Sequence, residues 1–344
     1  MRVLLDTTYA RRGPTGTGVY LERIVPALRE LGVDLVEAAN ERRRPPAGGG
    51  LGSLRNAAQD ARWSAVELAR RARAARADVI HHALPAVSAG RTPQVVTVHD
   101  LAFERLPEAF DPRFRAFARR AHRRAATRAR AVIVPSESTA TDVAALWGVP
   151  RERIVVAPHG PGQEPPPPAA AGRLFPDAGD HLLYVGDAEP RKNLETLLAG
   201  YALYRARATD PLPLVLAGAA RARAEGVVND GRPTEGRLAH LYAHAAALVH
   251  PALHEGFGLT PLEAMHAGTP VLAARSPGLA ETCAAAADYF DPRDPEDLAE
   301  RLATLVADPD RRAQLIERGR ARAAEHSWER AARGHVRAYT LALG

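Results

Sequence analysis

The sequence predicts an α/β protein with two doubly wound domains that face a central cleft, each a parallel sheet with helices on both faces. Short, fully apolar runs alternate with longer segments of helical period, as expected for strands buried on both faces. The alternation stops once, at residues 161–180, where PGQEPPPPAAAG can continue neither a strand nor a helix. It then begins again, so we expect two domains joined by a proline-rich linker.

The first domain, residues 1–160, contains six candidate strands. They are Val3–Leu5, Asp34–Val36, Val79–His81, Val95–Val98, Ala131–Val134 and Ile154–Ala157. Segments of helical period between them are Val19–Leu31, Ser64–Arg76 and Arg113–Arg128. Residues 40–56 are poor in apolar side chains, so we expect a mobile surface loop there.

The second domain, residues 181–327, repeats the pattern. Its candidate strands are His181–Val185, Leu212–Ala217, Ala247–His250, Pro270–Ala273 and Asp288–Phe290. Its candidate helices are Leu194–Arg207, Glu235–Ala245, Pro261–Ala267, Pro295–Ala307 and Asp310–Glu325. Domains of this class bind ligands at the carboxyl ends of their strands, so we expect the functional residues there.

Composition narrows the class of protein. Of the residues, 46% are hydrophobic and 25% are charged, which is ordinary for a globular protein and excludes a disordered chain. No apolar run approaches the roughly 20 residues needed to span a bilayer, and the N-terminal run is too short for a signal peptide. The single Cys283 excludes an internal disulfide, which predicts a cytoplasmic location.

The basic residues are almost all arginine, and eight of them lie close together in the sequence. The net charge of +6 favours anionic partners, and Lys192 is the only lysine among 46 basic residues. Arg113–Arg130 holds eight arginines and no acid, with an apolar stripe of Phe114, Phe117 and Ala121. Two interpretations stay open: a helix that contacts an anionic membrane or acceptor, and a packed helix with a solvated basic face.

HEGFGLTPLEAMHAGTPV, at residues 254–271, is the strongest motif. Glu255 follows a strand, and Gly256 and Gly258 allow close approach of the backbone to a ligand. The next helix offers its amide groups, which suit a phosphate. Thr260 and Glu263 also fit a capping box, with Gly268 ending the helix.

The run LLYVGDAEPRKNLETLL, at residues 182–198, places a second strand end at Gly186. Arg191 and Lys192 follow at the start of a helix. Lysine is a compact charge that suits a phosphate oxygen, whereas the alternative is a solvated basic pair beside Glu189.

Three weaker signals complete the motifs. Gly16 and Gly18 open the first helix but lack the third glycine of a dinucleotide fingerprint. His99 ends the strand VVTV, where it could accept a proton from a substrate hydroxyl or be structural. Asp308-Pro309-Asp310 is read as the start of a helix, and no metal site is predicted.

Together these residues resemble the family 4 retaining glycosyltransferases of GT-B fold, also called group 1 and here mannosyltransferase-like. The resemblance rests on YVGxxEPRKNL, on LxxLYxxA at Leu238–Ala245, and on EGFGLxPLEAM with its E-x7-E spacing from Glu255 to Glu263. It extends over nearly the whole chain, including VTVHDLAF and HSW at 326–328. Asp187 and the short segment 218–237 depart from the family's pattern.

The resemblance implies roles for the site residues. Arg191 and Lys192 would hold the donor's diphosphate, Glu255 the hydroxyls of the donor sugar, and Glu263 the ribose. His99 would lie near the sugar and the acceptor, which makes it a catalytic candidate with Arg191, Lys192 and Glu255. Further donor-binding candidates are Gly16, Gly18, Gly186, Gly256, Phe257, Gly258, Leu259 and Thr260.

The resemblance also implies an acceptor-side first domain, a donor-binding second domain, and a C-terminal helix at about 328–344 that packs back on the first. It implies metal-independent transfer of a hexose, with GDP-mannose as the first donor guess and a UDP-sugar as the second. The acceptor stays open among a glycan, a lipid-linked sugar and a small natural product. A sugar-nucleotide epimerase, a glycosyl phosphorylase and a nucleic-acid-binding protein are alternatives, although no aromatic platform for nucleic acid is evident.

Overall fold

The computed structural model describes residues 1–12, 15–42, 51–163 and 181–344. These residues form two compact units: Met1–Pro107, Asp111–His159 and Ser327–Gly344 make the first, and Glu108–Phe110 with Gly160–His326 make the second. Most of the predicted proline-rich linker, residues 164–180, lies outside the described residues.

The first unit has a parallel sheet of six strands in the order β2-β1-β3-β4-β5-β6. The strands are β1 (Arg2–Asp6), β2 (Asp34–Ala38), β3 (Val79–His82), β4 (Gln94–Thr97), β5 (Ala131–Val134) and β6 (Ile154–Val156). Its helices are α1 (Gly16–Glu30), α2 (Leu51–Arg62), α3 (Leu68–Ala74), α4 (Ala102–Arg105), α5 (Pro112–Arg128), α6 (Glu137–Trp147) and α13 (Trp328–Leu343). All six predicted strands are confirmed.

Helices cover both faces of this sheet because alternate side chains of each strand point to opposite sides. Val3 and Leu5 of β1 pack in one core with α1 and α13, whereas Leu4 packs in another core with Trp63 and α3. A π-helical stretch, Trp63–Glu67, joins α2 to α3. The predicted mobile loop at 40–56 is wrong in its last part, because α2 begins at Leu51; residues 43–50 lie outside the described residues.

The second unit has another parallel six-stranded sheet, in the order β12-β11-β10-β7-β8-β9. The strands are β7 (His181–Val185), β8 (Leu214–Ala217), β9 (Val227–Gly231), β10 (Ala245–His250), β11 (Val271–Ala274) and β12 (Asp288–Phe290). Its helices are α7 (Leu194–Arg207), α8 (Glu235–His244), α9 (Leu259–Ala267), α10 (Pro277–Cys283), α11 (Pro295–Ala307) and α12 (Pro309–Ala324). The five predicted strands are confirmed, and β9 and α10 are additional.

Two helix ends test local predictions. The carboxylate of Asp308 accepts a hydrogen bond from the Arg311 amide at 2.8 Å, so Asp308 caps α12 as the sequence predicts. Gly268 ends α9 with φ of 81°, also as predicted. None of the helices in the described residues is both long enough and apolar enough to cross a membrane.

Candidate functional site

Strand order brings two distant loops of the second unit together. β7 and β10 are neighbours, although residues 186–244 separate them along the chain, and the strand order reverses between them. Crevices at such a reversal, beyond the carboxyl ends of the strands, are where open α/β sheets bind ligands. The Leu253 amide donates to the Arg191 carbonyl at 2.9 Å, which ties the loop after β10 to the loop after β7.

Asn193 fixes the loop that carries the basic pair. It adopts a left-handed conformation, with φ of 58°, between the 3-10 turn Pro190–Lys192 and α7. Its side-chain Nδ2 donates to the carbonyls of Pro251 and Pro292 at 3.1 and 2.7 Å. Sequence reasoning missed this role; the available signal was an asparagine, one of the few residues that tolerates this backbone, at the start of a helix.

Three charged side chains meet at one carboxylate oxygen. Lys192 Nζ donates to Glu255 Oε1 at 2.5 Å, and Arg191 Nη1 lies 3.4 Å from the same atom. Arg191 also donates through Nε to Glu189 at 2.8 Å. The side chains of Lys192 and Glu255 are only 15% and 12% exposed, so the interpretation of Arg191 and Lys192 as a solvated basic pair is wrong.

The charge of Glu255 is strongly stabilised. Burial alone would raise the pKa of its carboxyl group, but the Lys192 ammonium and the Arg191 guanidinium outweigh burial and hold the pKa well below its usual range. His250, the last residue of β10, places Nε2 3.4 Å from Glu255 Oε1. Burial lowers the pKa of His250, so its ring is neutral near pH 7.

The glycine turn is packed closely against α10. Gly258 has φ of 96°, and α9 begins directly after it at Leu259, with Thr260 in its first turn. A Cβ atom on Gly278 of α10 would lie 2.0 Å from the carbonyl oxygen of Glu255, so only glycine fits there. The first amides of a helix have no partner within it, so those of Leu259 and Thr260 are available to a ligand.

Glu263 is not part of a capping box, so that interpretation is wrong. The helix begins at Leu259, one residue before the predicted cap Thr260, and Gly258 precedes it. Glu263 is 8% exposed and accepts a hydrogen bond from the Tyr242 hydroxyl of α8 at 2.7 Å. Phe257 is 6% exposed and belongs to the hydrophobic core, so its side chain is packing and only its backbone faces the turn.

The carboxylate of Asp187 contacts the segment after β8. Its carboxylate accepts from the Ala219 amide at 3.0 Å and lies 3.4 Å from Arg232 Nη2. The acid therefore anchors the segment that follows β8, where a Cβ atom on Gly218 would lie 2.2 Å from the carbonyl oxygen of Gly186. Both departures from the family's pattern, Asp187 and segment 218–237, are thus parts of one contact.

His99, Gly16 and Gly18 lie in the first unit. His99 follows β4, and its Nε2 is 3.1 Å from the Ala83 carbonyl. A carbonyl only accepts, so Nε2 donates and the neutral ring keeps Nδ1 as an acceptor. Burial lowers the pKa of His99, although the Asp100 carboxylate opposes that shift. Gly16 and Gly18 lie in the first turn of α1, where the Gly18 amide donates to Thr15 Oγ1 at 3.1 Å.

A buried chain of hydrogen bonds supports the Tyr20 ring, whose centroid lies 4.9 Å from that of His99. It runs through Tyr339, His81, Thr97, Tyr20 and His335 to the carbonyl of Ala331. The final carbonyl only accepts, so His335 donates from Nδ1 at 2.8 Å and accepts the Tyr20 hydroxyl at Nε2 at 2.7 Å. The two ends of this series of hydrogen bonds, Tyr339 and Ala331, both lie on α13, so the series holds this helix in the first unit.

Helix α5 presents a different surface from the one predicted. The apolar stripe of Phe114, Phe117 and Ala121 does not form its packed face, since Phe114 and Phe117 are 52% and 68% exposed. The helix packs through Ala118, Ala125 and Ala126. Arginines and two phenylalanines therefore share its exposed surface.

Comparison with known proteins identifies the family to which the chain belongs. Two family models match: "Glycosyltransferase Family 4" over residues 14–161 and "Glycosyl transferases group 1" over residues 171–322. O-antigen chain mannosyltransferase B of Escherichia coli is 28% identical over 267 residues, 72% of this chain and 70% of that protein. The chain spans only 29% of the longer Escherichia coli serotype-specific mannosyltransferase WbdA, to which it is 28% identical over 63% of its own length.

The fold of this chain is also similar to that of a solved structure. Sucrose-phosphate synthase from Thermosynechococcus elongatus matches with a TM-score of 0.78 at 19% identity, over 99% of this chain and 98% of that one. At this level of identity the match shows the fold alone. With its two doubly wound parallel sheets and both family matches, the chain belongs to the group 1 glycosyltransferases and has their GT-B fold.

Proposed function

We propose that this protein is a retaining glycosyltransferase that moves a hexose from a nucleotide-diphosphate sugar to an acceptor hydroxyl without a metal ion. The observation behind the proposal is the meeting of Arg191 and Lys192 at Glu255 Oε1, beyond the carboxyl ends of β7 and β10. Two cations that converge on one oxygen can equally receive the oxygens of a diphosphate. In the structure, Glu255 is the partner of both.

In the proposed reaction, the bond from the anomeric carbon to the diphosphate oxygen breaks. A bond from that carbon to the acceptor oxygen forms on the same face of the sugar, and the acceptor's proton passes to the leaving phosphate. One preorganised group that stabilises developing negative charge is typically worth about 3 kcal/mol. Arg191, Lys192 and the amides of Leu259 and Thr260 would supply that stabilisation in place of a metal.

We propose a mannose-like hexose as the donor sugar, with GDP-mannose ahead of a UDP-sugar. The Escherichia coli relative is a mannosyltransferase by name, which supports this order. Glu255 would receive the hexose hydroxyls, and Glu263, fixed by Tyr242, the ribose hydroxyls. In the first unit, Gly16, Gly18 and His99 would serve the diphosphate, the sugar and an acceptor that is a glycan, a lipid-linked sugar or a small natural product.

We propose that the protein works in the cytoplasm and contacts the inner face of an anionic membrane through α5. Arg120, Arg123 and Arg124 have no carboxylate within 4.0 Å among the described residues, so their charge is available to lipid phosphates. Phe114 and Phe117 are exposed on the same helix, and exposed aromatic side chains favour a membrane interface.

Calorimetric titration with GDP, UDP, ADP and their sugar conjugates, with a chelator present, tests the donor site. We expect one nucleotide to bind without metal and Lys192→Ala to weaken it about tenfold or more, the value of a charge-assisted hydrogen bond. Arg207→Ala, which removes an exposed cation from the other end of α7, is the matched control. Absence of binding by every nucleotide, or equal binding by Lys192→Ala, would refute the proposal.

A further inference from the structure

His250 is a buried histidine at the site whose role no motif explains. It ends β10, is 1% exposed, and directs Nε2 to within 3.4 Å of Glu255 Oε1. Within the described part of the chain, Nε2 meets Glu255 only at this long distance, and Nδ1 makes no hydrogen bond. A buried polar group left in this state is unfavourable, so a closer acceptor for Nε2 would stabilise it.

Glu255 is the group that His250 can serve. Lys192 holds Glu255 Oε1 at 2.5 Å, much closer than His250 does at 3.4 Å. A bound diphosphate would compete for Lys192 and Arg191, because both cations would then face its oxygens as well. The Glu255 side chain is only 12% exposed, so its negative charge would then lose part of the stabilisation that the two cations provide.

We infer that His250 is a positioning residue: its Nε2–H group holds the carboxylate of Glu255 in the orientation that receives the hexose hydroxyls once the donor's diphosphate has engaged Lys192. This inference rests on the proposed function and deepens it. A neutral imidazole ring with its proton on Nε2 is sufficient to donate this hydrogen bond to Glu255. The charged groups that face His250 are Glu255, Lys192 and Arg191.

The two parts of the donor would meet different residues. His250 reaches the hexose through Glu255, whereas Lys192 and Arg191 face the diphosphate directly. Loss of the Nε2–H group should therefore weaken binding of the sugar nucleotide and leave binding of the nucleoside diphosphate nearly unchanged. A merely structural role for His250 would weaken both ligands alike.

The variants His250→Gln and His250→Met test this, because they have similar size and only glutamine retains an N–H donor. The probes are GDP-mannose and GDP, or the conjugate and diphosphate of whichever nucleotide the wild type binds. We expect His250→Met to lower the affinity for the sugar nucleotide about tenfold and that for the diphosphate less than twofold, with His250→Gln restoring most of the loss. His181→Gln, at the amino end of β7, is the control for replacing a buried histidine.

The outcomes are distinct. A wild type that binds no sugar nucleotide would overturn the proposed function and this inference with it. A wild type that binds the donor, with His250→Met unchanged or weakened equally for both ligands, would overturn the inference alone. If His250→Met unfolds, His250→Phe retains a ring without the N–H group and gives the same comparison.

Discussion

The buried ring of His335 should make the stability of the first unit fall in acid. His335 is fully buried, and burial lowers its pKa from 6.5 to about 4, although the hydrogen bond to the Ala331 carbonyl opposes the shift. Burial disfavours the charged ring, and a protonated Nε2 could no longer accept the Tyr20 hydroxyl, so the folded unit favours the neutral ring. The unfolded chain has no such preference and takes up the proton first.

The direction and the size of the change in unfolding free energy follow from the pKa values of His335 in the folded and the unfolded chain. The folded pKa is the lower one, so the contribution is complete above pH 6.5 and is lost as the pH falls towards 4. Each pKa unit is worth about 1.4 kcal/mol, so the full loss is about 3 kcal/mol. Between pH 7.5 and pH 5, linkage gives a loss of about 2 kcal/mol from this residue.

Tryptophan fluorescence during urea unfolding is a suitable assay. The three tryptophans, Trp63, Trp147 and Trp328, all lie in the first unit, so the signal reports on that unit. We expect His335→Gln to reduce the change in unfolding free energy between pH 7.5 and pH 5 by about 2 kcal/mol relative to the wild type. His81 and His99 are present in both proteins, so the part of their pH dependence that does not involve His335 cancels in this difference.

Tyr20→Phe is the matched control, because it removes the hydroxyl partner of His335 but leaves the imidazole buried. Burial is the larger cause of the shift, so this variant should keep the pH dependence while losing stability at pH 7.5. An unchanged pH dependence in His335→Gln would refute the reasoning. A pH dependence abolished in Tyr20→Phe would show that the hydrogen bond, and not burial, determines the shift.

Two further predictions concern the glycine turn and the basic helix. Gly278→Ala should weaken donor binding at least tenfold in calorimetry because its Cβ atom would lie 2.0 Å from the Glu255 carbonyl oxygen, whereas Gly236→Ala, which meets no atom within 4 Å, should not. Replacing both Phe114 and Phe117 by alanine should lower sedimentation with phosphatidylglycerol vesicles about tenfold, relative to phosphatidylcholine vesicles. Leu341→Ala, an exposed apolar residue of α13, should leave sedimentation unchanged, and equal binding by all three proteins would count against a membrane role for α5.

The strands were predictable because parallel sheets bury both faces, so each strand is a short apolar run. β9 was missed since only two of its five residues, VVNDG, are apolar and it pairs only with β8 at the edge of the sheet. The basic stripe of α5 was predicted, but its packed face was not. Alanine packs closely against a neighbouring element, so Ala118 and Ala125 are buried while the larger Phe117 remains outside.

The candidate site was predictable only as separate motifs. Arg191 with Lys192 and Glu255 with Glu263 are short patterns that resemble a known family. Their meeting depends on strand order, which no local pattern encodes. For the same reason, sequence reasoning missed Asn193, His250 and Gly278, whose partners lie far away along the chain.

Strand order also explains where the candidate residues lie in each unit. In the second unit, the order reverses between β7 and β10, and the loops after these strands carry Lys192 and Glu255. In the first unit, the order reverses between β1 and β3. There His99 donates to the carbonyl of Ala83, the residue directly after β3, which keeps its Nδ1 acceptor at the carboxyl edge of the sheet. One topological rule therefore accounts for the position of the candidate residues in both units, although the two sheets differ in strand order.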